Sequence, residues 1–214
     1  MADGHEPLPT PPPDTLELRD RLLCAAVLVF DRKGYAGASV REIAEAVGVT
    51  KPTVYYHFGS KEGLLVAILT EAQREFAAVV AAGAARPGTA QQRILALCDD
   101  IYRLFEHNVP MARVAHAIMF GPPEAVPAFD LAVFEAGFVG AIERIVADGQ
   151  AAGEIRDVAP REVALAIGGI LQGCYERQLH PSLKPVGPDM LGRLLGLLFE
   201  GISGPHAPRE RTRQ

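Results

Sequence analysis

Residues 38–65 of the chain, ASVREIAEAVGVTKPTVYYHFGSKEGLL, decide the fold. Ser39 and Glu42 have the spacing of a capping box, in which the two side chains bond each other's backbone amides at the start of a helix. The apolar residues that follow recur at the spacing of one helix face: Val40, Ile43, Ala44 and Val47. Gly48 then stands where a tight turn needs a positive φ. A short helix ending in a glycine turn is therefore expected.

A second short helix is predicted over residues 51–58, with Thr50 as its N-cap. Pro52 is tolerated there because the amides of a first helical turn have no acceptor inside the helix. Two short helices joined by a turn that contains glycine are typical of a helix-turn-helix, whose second helix enters the major groove of DNA.

Further short segments add detail to this pattern: Gly48-Val49-Thr50, Val54-Tyr55, His57-Phe58, Ser60-Lys61-Glu62 and Leu64-Leu65. Together they resemble the amino-terminal domain of the TetR family of transcriptional regulators. The resemblance covers residues 16–69, and beyond them only the length and the helical pattern agree. It implies an all-α fold of about nine helices, in which a three-helix helix-turn-helix domain precedes a helical domain for ligand binding and dimerisation.

Four segments are expected along the chain. Residues 1–15 carry five prolines and are predicted to be a disordered tail, and residues 204–214 a flexible one. Residues 16–60 form the predicted DNA-binding domain, and residues 61–203 the predicted ligand-binding and dimerisation domain. The expected helices span 16–33, 40–47, 51–58, 61–82, 89–107, 110–120, 125–149, 161–180 and 188–203.

Composition and charge limit the possible functions. The net charge is −5, and residues 16–62 hold seven basic and six acidic residues, so one copy of the predicted DNA-binding domain is almost neutral. Nucleic-acid binders usually carry a basic surface, and a homodimer with two copies on one site is therefore expected. The three cysteines are predicted to be reduced, apolar-packed thiols of a cytoplasmic protein. No apolar run is long enough for a membrane span, and no secretory signal is expected.

The resemblance also implies which residues contact DNA. Arg41 and Lys51 match positions that contact base edges, and Pro52 and Tyr56 match positions that contact thymine methyl groups. The expected phosphate contacts are Ser39, Thr53, Tyr55, His57 and Lys61. Thr50, the N-cap of the second helix, is expected to contact DNA beside them. Other roles stay open. Arg41 and Glu45 have the i, i+4 spacing of a surface ion pair, and the alternative for His57 is a solvated cap residue. The alternative for Tyr55 and Phe58 is that their side chains belong partly to the core.

A small-molecule site is predicted in the second domain from aromatic and polar side chains at helical spacing. The candidate residues are Cys98, Tyr102, Phe105, His116, Met119, Phe120, Phe134, Phe138 and Tyr175. The alternative is that these residues are ordinary core. No pair of histidines or cysteines has the spacing of a zinc site, and no catalytic motif is present, so neither a metal, a cofactor nor an enzyme is expected.

The last two long predicted helices, 161–180 and 188–203, are apolar on more than one side and contain several glycines. The resemblance implies that they pair with a second copy in a four-helix bundle; the alternative is burial within one chain. The predicted function is a ligand-responsive repressor, a homodimer on a pseudo-palindromic operator, in which ligand tilts the helix that begins at Lys61. An activator, a ligand-independent regulator, or a helical small-molecule- or partner-binding protein that does not use DNA remain as alternatives.

Overall fold

The computed structural model describes residues 17–121, 129–130, 132–180 and 182–200. Within these ranges the chain forms nine α-helices and no strand, which confirms the all-α prediction. The helices are α1 (Leu18–Gly37), α2 (Val40–Val47), α3 (Lys51–Phe58), α4 (Lys61–Ala84), α5 (Ala90–His107), α6 (Val109–Phe120), α7 (Ala132–Ala151), α8 (Pro160–Leu179) and α9 (Pro188–Glu200).

Most predicted boundaries agree with the observed ones to within two residues. In α1 the helical backbone breaks at Gly34, which has a φ of 70° and directly follows the predicted end of this helix at residue 33. The predicted helix over 125–149 begins outside the described residues, and α7 is described from Ala132. The predicted tails, residues 1–15 and 204–214, also lie outside the described ranges, as do residues 201–203.

The contacts divide the described residues into two compact units. Unit 1 contains those up to Val80 together with those of Leu104–Phe138, and unit 2 contains those of Ala81–Arg103 and those from Val139 onward. This grouping reflects spatial contacts. The functional division at Ser60 and Lys61 into a DNA-binding and a ligand-binding domain stays a prediction.

The core of unit 1 joins α1, α2, α3 and the first turns of α4. Leu22, Ile43, Leu64 and Leu65 are fully buried at 0% exposure. The predicted apolar face of α2 lies in it: Val40, Ile43 and Ala44 are buried, and Val47 is partly buried. Burying each such aliphatic side chain contributes about 1.5–3 kcal/mol.

Helix α6 also belongs to unit 1, because it packs along α1. Its Val114 and Ile118 are buried in the same core as the helix-turn-helix. Beside them a guanidinium nitrogen of Arg113 lies 3.3 Å from a carboxylate oxygen of Asp31 on α1, and the Asp31 side chain is only 13% exposed. The segment predicted to serve ligand binding is therefore in direct contact with the helix-turn-helix.

Unit 2 is built on buried faces of α5, α7, α8 and α9. Gly149 on α7 allows a close approach, since a Cβ there would lie 2.5 Å from that of Ala90 on α5. The hydroxyl of the fully buried Tyr102 donates to the carbonyl of Val186 and accepts from the amide of Gln178. A buried phenol is thus paired, as its desolvation requires.

The cysteines differ from one another. Cys98 and Cys174 are buried, and desolvation raises the pKa of Cys98 to about 12. Cys24 is exposed, contrary to the expectation that all three are packed in apolar surroundings. Cys24 comes two residues after Leu22, which faces the core. It therefore lies about 200° around the helix from Leu22, on the outer side of α1. None of the described helices is both long and apolar enough to cross a membrane.

Candidate nucleic-acid interface

The start of α2 is fixed by the predicted capping box. The Glu42 amide donates to the Ser39 hydroxyl at 3.3 Å, and the Ser39 amide donates to the Glu42 carboxylate at 3.0 Å. The ammonium of Lys33 on α1 forms an ion pair with the same carboxylate. Hydrogen bonds from Lys33 and Ser39 lower the pKa of Glu42 to about 2. One side chain therefore closes the first turn of α2 and joins it to α1.

The turn between α2 and α3 is formed by local and long-range bonds. Gly48 has a φ of 76° and a ψ of 30°, the left-handed conformation predicted for it. The Val49 amide donates to the Ala44 carbonyl at 2.9 Å. From α1, a terminal guanidinium nitrogen of Arg21 donates to the Val47 carbonyl at 3.2 Å, which satisfies a carbonyl at the end of α2.

Helix α3 is anchored on one side and exposed on the other. Val54 lies in the core and is 1% exposed. Phe58 packs against the same core and is partly buried, which agrees with the alternative role given for it above. The opposite side consists of Lys51, Pro52, Tyr55 and Tyr56, which we call the recognition face. These four residues share one side because the helix turns every 3.6 residues. Tyr56 is 87% exposed, so most of this large aromatic side chain faces solvent.

Thr50 occupies the N-cap position of α3, but its side chain makes no cap hydrogen bond to the backbone. Its hydroxyl is instead 3.0 Å from the hydroxyl of Thr53. The prediction of the N-cap position is right, and its expected side-chain bond is absent. Pro52 has no N–H, and the Thr53 amide donates to the Thr50 carbonyl at 3.1 Å, so of the first three residues of α3 only Lys51 has an amide available to an outside acceptor such as a phosphate oxygen.

Two cations expected to contact DNA have partners within the chain. Arg41 Nε donates to the Glu45 carboxylate at 2.6 Å, so the ion pair raised as an alternative is present. The Lys61 ammonium lies 4.5 Å from the centre of the Tyr35 ring and donates to the Ala36 carbonyl at 3.3 Å. Partial burial lowers the pKa of Lys61.

Apart from Lys33 and Arg41, which pair with Glu42 and Glu45, the cations of residues 17–62 lack an acidic partner among the described residues. For Arg19, Arg21, Arg32, Lys51 and Lys61, no carboxylate of the described residues lies within the 4 Å of an ion pair. Arg19 is 5.6 Å above the Phe58 ring. Asp31, in contrast, is paired with Arg113. A module that is almost neutral by composition thus has unpaired positive charge on its surface.

The described structure places all ten expected DNA-contact residues on α2, α3, their N-caps or the first residue of α4. Ser39, Arg41, Thr50, Lys51 and the exposed residues of α3 are open to solvent, and Thr53, His57 and Lys61 are partly covered. The His57 ring lies 5.4 Å from the Tyr56 ring. Sequence reasoning missed Arg21, whose role depends on a contact 26 residues away and leaves no local pattern.

The nine candidate ligand residues fall into both units. In unit 1, Phe76 is 6.5 Å from Phe105 and 5.5 Å from Phe134 between ring centres. His116 contacts Phe120, while Met119 and Phe120 are 42% and 61% exposed. The others in unit 1 and unit 2 are buried, namely Phe138, Cys98, Tyr102 and Tyr175.

Unit 2 also contains an open groove of about 960 Å³ between α5 and α9. Asp99 and Arg103 of α5 line it, ion-paired at 2.8 Å, together with Met190 and Leu194 of α9. None of the nine candidate ligand residues lines this groove. Within the described part of the chain, no three metal-ligating side chains cluster together.

Residues 22–68 match the family model described as bacterial regulatory proteins, tetR family. Over 92 residues the chain is 35% identical to the HTH-type transcriptional activator FasR of Mycolicibacterium smegmatis, covering 43% of this chain and 42% of FasR. It is 29% identical over 142 residues to the HTH-type transcriptional repressor NicS of Pseudomonas putida, covering 65% of this chain and 66% of NicS.

The match thus spans less than half the length of FasR and just under two thirds of that of NicS. A crystal structure of a bacterial regulatory protein in the tetR family from Rhodococcus RHA1 agrees over more of the fold. It has a TM-score of 0.71 and 26% identity, covering 87% of this chain and 97% of that one. With the helix-turn-helix geometry described above, these matches show that residues 22–68 are similar to the helix-turn-helix domain of the TetR family of bacterial regulatory proteins, and that the chain shares the fold of a solved member of that family.

Proposed function

We propose that this protein is a DNA-binding transcriptional regulator, a ligand-responsive repressor that acts in the cytoplasm as a homodimer on a pseudo-palindromic operator. The observation that carries the proposal is the recognition face of α3. Lys51, Pro52, Tyr55 and Tyr56 stand exposed on a helix that Val54 anchors from the other side. A second helix of this kind is the element that enters the major groove in helix-turn-helix proteins.

The roles proposed for the side chains follow from their chemistry. The planar fork of Arg41 can span O6 and N7 of guanine, and Lys51 can reach a base edge as a point charge. Pro52 and Tyr56 offer apolar surface to a thymine methyl. Hydroxyl groups, His57 and Lys61 surround them as phosphate ligands, which position the protein without selecting sequence.

Dimerisation is proposed to use α8 and α9. Leu165, Gly169 and Gly173 are four residues apart on α8 and are exposed, and a Cβ at either glycine would meet no atom within 4 Å. On α9, Leu197 and Leu198 are 53% and 38% exposed. Apolar surface next to small residues lets helices approach closely, and this supports a four-helix bundle made by two chains rather than burial within one.

The effector is proposed to bind among the aromatic candidates of unit 1, near Phe76, Phe105 and Phe134. These side chains lie on α4, α5 and α7. Helix α6, which carries His116, also contributes Val114 and Ile118 to the core of the helix-turn-helix. A ligand that displaced α6 would therefore act on α1 directly, in addition to the proposed tilt of α4.

The test has two steps. Fragments of genomic DNA that the purified protein retains are sequenced, and binding to the selected site is then titrated across a salt series. We expect log affinity to fall linearly with log salt, because phosphate contacts release counterions. Two half-sites about 34–36 Å apart, or a multiple of this distance, are expected in the retained sequence. Retention of no DNA would favour the helical protein that does not use DNA.

An activator is the second candidate, because FasR, to which this chain is 35% identical over 92 residues, is an activator. Transcription from the selected promoter in vitro separates the two. We expect added protein to lower transcript yield. A rise in yield would replace the repressor by an activator and leave DNA binding unchanged.

A further inference from the structure

The ion pair between Arg41 and Glu45 places a carboxylate on the surface proposed to meet DNA. The two side chains are one helical turn apart and are 72% and 58% exposed. A carboxylate there repels phosphate, so its presence costs affinity for any DNA. Glu42, the neighbouring acid on α2, bonds Ser39 and Lys33 and so has a role in the fold. Glu45 bonds only Arg41 through its side chain, within the described residues.

Folding stability does not account for the pair. Exposed ion pairs contribute little because water screens them and two long side chains lose freedom. Along a helix the more favourable order has the acid four residues before the base, and here the arginine comes first. The pair therefore has its main consequence for what Arg41 can bind.

The geometry of the pair leaves the outer edge of the guanidinium open. An arginine side chain has five N–H donors in a fixed plane, and Glu45 takes the one on Nε. The four on the two terminal nitrogens remain, and they match the two acceptors that guanine presents in the major groove. Held by Glu45, the fork loses less rotational freedom when it meets a base.

We propose that Glu45 is a positioning residue for sequence selection, which orients Arg41 toward guanine and cancels its general attraction to phosphate. This inference rests on the proposed function. It has two separable consequences, because one depends on the charge of Glu45 and the other on its hydrogen-bond acceptor. Removing the charge raises affinity for all DNA, whereas removing the acceptor impairs the choice of one base pair.

Glu45→Gln and Glu45→Ala distinguish these consequences, since the amide oxygen of glutamine can still accept from Arg41 Nε while alanine cannot. The base pair that Arg41 contacts is first located as the operator position at which Arg41→Ala loses discrimination. Affinities are then measured for the operator, for the operator changed at that pair and for unrelated DNA. Circular dichroism checks that each variant is folded.

We expect both variants to bind unrelated DNA about threefold more tightly, as one phosphate-repelling charge is lost. Only Glu45→Ala is expected to lose discrimination at the Arg41 base pair, by about fivefold, while Glu45→Gln retains it. In an Arg41→Ala background, Glu45→Ala should change discrimination no further.

Three results would overturn the inference and leave DNA binding intact. These are unchanged discrimination in Glu45→Ala, an equal loss in Glu45→Gln, and a loss that persists without Arg41, which would mean that Glu45 contacts a base itself. If the unaltered protein binds no DNA at all, the proposed function fails and the inference fails with it.

Discussion

At position 48 a single backbone angle sets the turn of the helix-turn-helix. Gly48 has a φ of +76°, and a Cβ there would meet no atom within 4 Å. The cost of a side chain is therefore conformational, and we expect Gly48→Ala to lower the free energy of unfolding by about 1–2 kcal/mol. Gly48→Asn should lose less, because asparagine tolerates this conformation.

The matched control is Gly137→Ala on α7, where the glycine has open space and no positive φ. Alanine in a helix interior stabilises by about 0.5–1 kcal/mol relative to glycine, so this variant should move in the opposite direction. Urea unfolding at one protein concentration measures both. A stabilised Gly48→Ala would contradict the account of the turn.

The Lys61 ammonium sits at the first residue of α4 and lacks a carboxylate partner among the described residues. We expect Lys61→Gln to weaken binding to every DNA sequence alike and to reduce the slope of log affinity against log salt by about one. Arg32→Gln removes the same charge from an exposed site on α1 that has no proposed DNA role. An equal change in slope from Arg32→Gln would show that only net charge matters.

At this scale the sequence predicted what depends on neighbours in the chain. Ser39 with Glu42 and the positive φ of Gly48 follow from local patterns, and the structure has both. The partners of Arg21 and Lys61 were not predicted, because Val47 and Ala36 are 26 and 25 residues away. No local pattern encodes which distant carbonyl a long side chain reaches.

Among the elements, α2 is expected to lose stability at low pH. The bonds from Lys33 and Ser39 lower the pKa of Glu42 from its ordinary value of 4.5 to about 2. A lowered pKa means that the charged form is favoured by folding, so this contribution is complete above pH 4.5 and is lost as the pH falls toward 2.

Glu42→Gln removes the titration and keeps most of the side chain. We expect the protein to be more stable than this variant at neutral pH, and the difference to shrink between pH 4.5 and 2. Free energies of unfolding at a series of pH values measure it. A difference that stays constant through this range would mean that the bonds to Glu42 do not form in solution.

For helix α6 the sequence predicts the helix itself but not the helix against which it packs. Its periodicity predicts a helix over residues 110–120, and the structure has Val109–Phe120. Periodicity does not specify which helix covers the apolar face, and α6 packs on α1. The burial of the candidate ligand residues could not be predicted for the same reason. Aromatic spacing does not distinguish a buried Phe138 from an exposed Phe120.

The contact of α6 with α1 leads to a prediction about DNA binding. If Arg113 and Asp31 help to fix α1, then Arg113→Ala should weaken operator binding by about twofold to fivefold, the range for a partly exposed ion pair. The preference among operator sequences should not change, since neither residue lies on α2 or α3. Arg144→Ala, an exposed arginine of α7 in unit 2, is the control and should have no effect.

For the whole molecule, the low positive charge of one copy means that tight DNA binding depends on two chains acting together. With a net charge of −5 and nearly balanced charge in residues 16–62, one copy has little general attraction to DNA. Two linked copies on one site bind far more tightly than either alone, because the second contact is intramolecular. We therefore expect a variant that cannot dimerise to lose operator binding while it stays folded.

Gly169→Leu on α8 should separate the two properties. A Cβ there meets no atom within 4 Å in the single chain, and leucine favours the helix, so unfolding of the monomer should not become easier. The same side chain would hold two α8 helices apart, and we expect sedimentation to show a monomer and operator affinity to fall at least tenfold. Gly137→Leu on α7 makes the same exchange at another open position and should remain dimeric. A dimeric Gly169→Leu with unchanged operator affinity would place the pairing surface elsewhere than α8.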